Sequence, residues 1–144
     1  MPVEPNAHLL WVAPAVHGGA TASDRGTGGE ALLDFSVNSN PFGPSQAVFE
    51  ALGKIDITRY PDPETTVLRE AIAGRDSVAT DAVLPGNGSV ELMFMAAHAY
   101  LAPGDKALVF GPTFGEYARA AMAAGAEVVE ATANEADGFR FDGH

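Results

Sequence analysis

From residue 82 onward the apolar and polar positions fall into blocks that predict strand, helix, strand, helix, strand. "AVLPG" (82–86) reads as a short strand, and "NGSVELMFMAAHAYL" (87–101) as a helix. "PGD" (103–105) is a turn and "KALVF" (106–110) a strand. "PTFGEYARAAMAAG" (112–125) predicts a helix stopped by a glycine, and "AEVVEAT" (126–132) a further strand. Strands and helices alternating through short loops imply a parallel sheet covered by helices, so the fold class is α/β. The helix over 89–101 is apolar nearly all round. It is therefore expected between two layers, and a chain that leaves it uncovered should self-associate.

Upstream, the pattern is less regular. "HGGATASDRGTGGE" (17–30) reads as loop, so the chain opens with an irregular arm. "LLDFSVNSNPFGPS" (32–45) starts as a short strand and breaks at Pro41, Gly43 and Pro44. A short helix over 45–53 is expected with Ser45 as its cap. "RYPDPET" (59–65) is extended and leads into a helix that Asp62 can cap, with Pro63 in the first position. Val67, Leu68, Ala71 and Ile72 then form one apolar stripe, with Arg69 and Glu70 pointing away.

Composition narrows the function classes. The 144 residues carry a net charge of −11 with only eight Lys and Arg, which disfavours nucleic acid and anionic membrane surfaces as partners. With no cysteine, disulfides, thiolate catalysis and Cys-type metal sites are excluded, and no metal site is expected. The first residues, "MPVEPNAHLL", lack the basic n-region of a signal peptide, and a cytoplasmic location is expected. The longest apolar run, 90–101, is too short to span a bilayer and carries Glu91 and His98.

Two stretches at expected strand ends can carry chemistry. Ligands of an open parallel sheet bind beyond the carboxyl ends of its strands. The turn Gly86-Asn87-Gly88-Ser89 lies at such an end and opens a helix, whose free N–H groups and dipole suit an anion. It reads as a phosphate cradle or as a plain strand-to-helix turn with a serine cap. Its spacing fits neither a Walker loop nor a dinucleotide fingerprint. "GPTFGEY" (111–117) brings Phe114 to the same edge, either to stack on a flat cofactor or to serve as a core ring.

In order along the chain, "HGG", "DFSVNSNPFGPS", "RYPDPE", "GNGSVEL", "PTFGEY" and "EADGF" resemble the N-terminal part of fold-type I, pyridoxal-phosphate-dependent enzymes. The likeness runs from about residue 17 to residue 140 and is nearest to threonine-phosphate decarboxylases and histidinol-phosphate aminotransferases. It implies residues 1–58 as an N-terminal arm with a small-domain segment, and 59–144 as the start of the large α/β domain. It implies pyridoxal 5'-phosphate as cofactor, with its phosphate on Gly88, Ser89 and Val90 and its ring on Phe114. Tyr60 would reach the cofactor phosphate of a partner subunit in a homodimer. His17 and Asn38 would line the phosphate end of a phosphorylated amino-acid substrate. On the residues alone, His17 could be a solvated loop histidine, and Asn38 and Asn40 turn formers. The family also needs a Schiff-base lysine, an acid at the pyridine nitrogen and a carboxylate-gripping arginine. Neither Lys54 nor Lys106 matches that lysine. The sequence is thus expected to be the first portion of a longer enzyme, with no catalytic lysine of its own and no activity alone. The competing expectation is a non-catalytic phosphate-binding module.

Overall fold

The computed structural model describes residues 4–15, 17–19 and 35–141. Helix α1 spans Gln46–Leu52, α2 Thr66–Asp76, α3 Ser89–Tyr100 and α4 Glu116–Ala123. Strands β1 (Lys106–Gly111) and β2 (Glu127–Thr132) pair in parallel, from Lys106 opposite Glu127 to Gly111 opposite Thr132. Short 3-10 turns lie at Ala7–Trp11, Thr80–Ala82 and Glu135–Asp137. None of the helices among the described residues is long and apolar enough to cross a membrane.

Local chemistry accounts for the β1–α4–β2 unit. The Asp105 carboxylate accepts the Ala102 N–H at 2.8 Å and closes the turn into β1. At the end of α4, Gly125 N–H donates to the Met122 carbonyl and Ala126 N–H to that of Ala121, a Schellman pair that needs a left-handed residue. Gly125 supplies it at φ 89°, and a Cβ there would also lie 2.9 Å from Pro103 Cγ. The chain therefore turns at once into β2, where Glu127 N–H donates to Asp105 O at 2.8 Å.

The core is built from small residues. Ala97 of α3 packs with Ala120 of α4 and with Ala124 at its C-cap, and Met93, Phe94 and Leu101 close around them. Methyl groups this small let two helix backbones approach closely, and burying each contributes only about 0.8 kcal/mol. Because α3 leads into β1 through residues 101–105, its C-terminus lies at the amino edge of the sheet and its N-terminus points towards the carboxyl edge. Helix α4, entered directly after β1, also begins at the carboxyl edge.

Several expectations are corrected. Residues 82–86 are not a strand: Val83 has extended torsions at φ −111° and ψ 120°, but among the described residues the sheet has two strands, β1 and β2, and Pro85 has no N–H to donate. Helix α3 is not enclosed between layers; of its residues only Ala97 is buried, and Met95 and Tyr100 are exposed. Ser45 stands at the α1 cap without a side-chain cap bond. Pro63 is not in helix α2, which starts at Thr66, although the Asp62 carboxylate does accept the Glu64 and Thr66 N–H groups at 3.0 and 2.9 Å. Its stripe differs too: Ala73 is buried and Ile72 half-buried, whereas Val67 and Leu68 are exposed. Arg69 turns back to the Thr80 carbonyl at 2.9 Å. The strand expected at the start of 32–45 lies partly outside the described residues, and 35–45 form bends and turns.

Candidate active site

The mouth of α3 is set by Gly88. Its torsions, φ 91° and ψ 169°, belong to a region that essentially only glycine occupies. No atom lies within 4 Å of where its Cβ would be, so the backbone is bare towards solvent. Ser89 and Val90 follow as the first helical residues, and their N–H groups have no carbonyl one turn earlier to bond. Glu91 crosses this mouth: its carboxylate accepts the Asn87 N–H and, at 3.1 Å, the Asn87 side-chain amide. Gly86 lies close under the first turn: a Cβ there would lie 2.8 Å from Leu92 Cδ2 and 3.0 Å from Glu91 Oε2, so these side-chain ends would have to shift to admit one.

At the start of α4 the N-terminal arm meets the sheet edge. His17 Nε2 stands 2.6 Å from Glu116 Oε1, and Arg119 Nη1 donates to the same oxygen at 3.1 Å. Glu116 is only 1% exposed, the most deeply buried charged group described. The His17 hydrogen bond, reinforced by Arg119, holds its carboxyl below the ordinary value, against the opposing pull of burial. The arm is tied at the other end of α4 as well, where His8 Nε2 donates to the Ala123 carbonyl at 3.2 Å. Between them Ala15 packs on Gly115, where a Cβ would come within 3.3 Å of Ala15 Cβ.

The arm brings His17 onto Phe114, the ring expected to stack on a cofactor. The His17 and Phe114 rings meet edge-on with centroids 5.6 Å apart, and Tyr117 approaches Phe114 similarly at 6.4 Å. Phe114 remains 40% exposed and the His17 side chain 49%. The two glycines of "HGG" dock the loop on the segment carrying Asn38. Gly19 N–H donates to Ser36 Oγ at 2.8 Å, and Gly18 lies so close to the Ser36 backbone that a Cβ would overlap it. Asn38 itself is exposed, and Asn40 forms the turn, bonding Phe42 N–H and Gly43 O.

The structure thus joins His17 to Phe114, and the "HGG" loop to Ser36, two residues before Asn38. It does not bring Tyr60 to this cluster: Tyr60 is 100% exposed. Glu116 and Arg119 escaped the sequence reading because an acid in a first helical turn with Arg three residues on looks like a solvated surface pair. The one available signal was the position of Glu116 two residues after the expected ring. Lys106 stands at the amino edge, where it opens β1 and pairs with Glu127 at 3.5 Å, and Lys54 follows α1.

Residues 30–144 match the family Aminotransferase class I and II. The chain is 36% identical to a histidinol-phosphate aminotransferase of Sphingopyxis alaskensis over 88% of this chain and 34% of that protein. It is 34% identical to another of Moorella thermoacetica, over 85% of this chain and 32% of that one. Among solved structures it is similar to an L-threonine-O-3-phosphate decarboxylase from Porphyromonas gingivalis, at a TM-score of 0.53 and 32% identity, over 65% of this chain and 29% of that chain. The chain belongs to the class I and II aminotransferase family, whose cofactor is pyridoxal phosphate. Its helices and parallel strand pair are part of the pyridoxal-phosphate-dependent transferase fold. It spans about a third of the length of these curated relatives.

Proposed function

We propose that this chain carries the phosphate-and-ring half of a pyridoxal-phosphate site, in a protein that acts on a phosphorylated amino acid as threonine-phosphate decarboxylases do. The observation that carries the reading is the seating of His17 against Phe114 at the carboxyl edge of the sheet. The groups present fit the cofactor. The bare backbone at Gly88, with the Ser89 and Val90 amides, would take its phosphate, and the half-exposed Phe114 ring its flat face. When bound, pyridoxal phosphate supplies an electron-withdrawing ring that stabilises negative charge at the substrate Cα. His17 and Asn38 would hold the substrate's own phosphate, while Phe114 orients and shields the ring from water. Tyr60, fully exposed, is free to reach a second subunit of a cytoplasmic homodimer. On the same reading, 1–58 form arm and small-domain segment and 59–144 open the large domain.

A second reading, transamination of histidinol phosphate, is favoured by the identity with those aminotransferases. Both readings require a cofactor-bearing lysine at the carboxyl edge, and Lys106 stands at the opposite one. We therefore infer that these 144 residues alone turn over nothing. The test is a titration of the isotope-labelled chain with pyridoxal phosphate, inorganic phosphate and pyridoxal. Phosphate and pyridoxal phosphate should shift the amides of Gly88, Ser89 and Val90; only pyridoxal phosphate should also shift the Phe114 ring. Borohydride should fix no cofactor selectively on Lys54 or Lys106. Shifts elsewhere with the 88–90 amides unmoved would refute the reading.

A further inference from the structure

We propose that Glu116, held by Arg119, is the positioning residue of His17: it fixes the imidazole as its Nε2–H tautomer and leaves Nδ1 as the nitrogen that meets a phosphate. This rests on the reading of His17 as a substrate-phosphate ligand. An acid in the first turn of a helix ordinarily lies in solvent, where it offsets the dipole cheaply. Glu116 is instead the buried member of a three-group cluster, between a half-exposed imidazole and a guanidinium. Arg119 reaches it from the next turn with Nη1, its Cζ lying 5.9 Å from the centre of the Phe94 ring on α3. The Arg119 Nε is buried with no hydrogen-bond partner among the described residues, where the guanidinium bonds Glu116 through Nη1. The carboxylate therefore has a fixed origin in the α3–α4 core, and His17 is the element it steers.

The chemistry follows from the donor inventory. An ionised carboxylate only accepts, so the 2.6 Å contact requires that His17 Nε2 carries a proton. The neutral ring then presents an unprotonated Nδ1. A second proton on Nδ1 makes that nitrogen a donor to a phosphate oxygen, with Glu116 as counter-ion on the far side of the ring. Phe114, edge-on to the imidazole, limits the ring's rotation. With the ring set between a carboxylate and an aromatic wall, little orientational freedom remains to be lost on binding.

The test uses the 144-residue chain with 15N-labelled histidine. Ring-nitrogen shifts report the tautomer of His17, and O-phospho-L-threonine serves as probe. The unaltered protein should show His17 as a single Nε2–H tautomer; a mixture of tautomers would overturn the proposal without any variant. Glu116→Gln keeps the size but offers both a donor and an acceptor, so it tolerates either tautomer. It should give a mixed population and about tenfold weaker perturbation of His17 by the probe, the loss of one well-directed charge-assisted bond. Glu116→Asp, which keeps the charge, should recover the single tautomer in part. The Ala15–Gly115 proton contact must persist in each variant, which separates a misdirected ring from an undocked arm. If Glu116→Gln does not fold, the spectrum of the unaltered chain decides. An unchanged tautomer and affinity in Glu116→Gln would refute the positioning role. A fixed tautomer with no response of His17 to the probe would sustain the positioning and refute the phosphorylated-substrate reading instead.

Discussion

Replacing Gly88 and Gly74 by alanine makes the same chemical change at two open positions with opposite expected results. At neither position would the added Cβ meet another atom within 4 Å, so packing contributes to neither change. Gly74 lies inside α2 with helical torsions, where alanine is favoured over glycine by about 0.5–1 kcal/mol. Gly88 sits at φ 91° and ψ 169°, where a side chain costs about 1–3 kcal/mol. Alanine also removes freedom from the unfolded chain, which returns about 0.4–1 kcal/mol and leaves Gly88→Ala destabilising by about 1 kcal/mol. With a urea slope of about 2 kcal/mol per molar, the midpoint should fall by about 0.5 M for Gly88→Ala and rise by about 0.4 M for Gly74→Ala. Urea unfolding followed by far-ultraviolet circular dichroism measures both. Gly88→Ala should in addition lose the phosphate-induced amide shifts at Ser89 and Val90, which Gly74→Ala should keep. A Gly88→Ala midpoint equal to or above the parent's would show that the turn is not held in the glycine-only conformation and that no cradle is preformed there.

Two further outcomes are expected. Glu91→Gln removes the carboxylate that lies across the α3 mouth, so inorganic phosphate should bind about 2–5-fold more tightly, the equivalent of about 0.3–1 kcal/mol; weaker binding, measured by amide-shift titration, would refute the assignment of Glu91 as a competitor. The Glu116 carboxyl titrates below its ordinary value of 4.5 because His17 bonds the ionised form, so the stability this gives is present above pH 4.5 and is lost as pH falls through the lower folded-state value. The Ala15–Gly115 contact should therefore survive mild acidification and disappear only below pH 4.5, whereas loss of the arm already at neutral pH would contradict the pairing.

Locally encoded features were legible in the residue pattern. Helix α3, the β1–α4–β2 unit and the glycine stop at 125 follow from apolar periodicity and turn chemistry, because each depends on residues within a few positions of one another. The family likeness came from the order of short motifs, and residues 30–144 do match that family. Residues 82–86 show where local reading ends: their pattern permits a strand, but a strand exists only where a neighbour accepts its ladder, and Pro85 removes one donor. The stripe on α2 failed likewise, since which side of a helix is buried depends on what packs against it. His17 and Glu116 are 99 residues apart, and no spacing rule connects a glycine-rich loop to a helical acid across that distance. Their meeting needed Gly18 against Ser36, Ala15 against Gly115 and His8 at the far end of α4. The sequence by itself determined helix α3, the β1–α4–β2 unit and the residue types at the sheet edge. Tertiary packing alone decided that a buried carboxylate stands behind the arm's histidine, because burial and long-range hydrogen bonding are properties of the assembled chain.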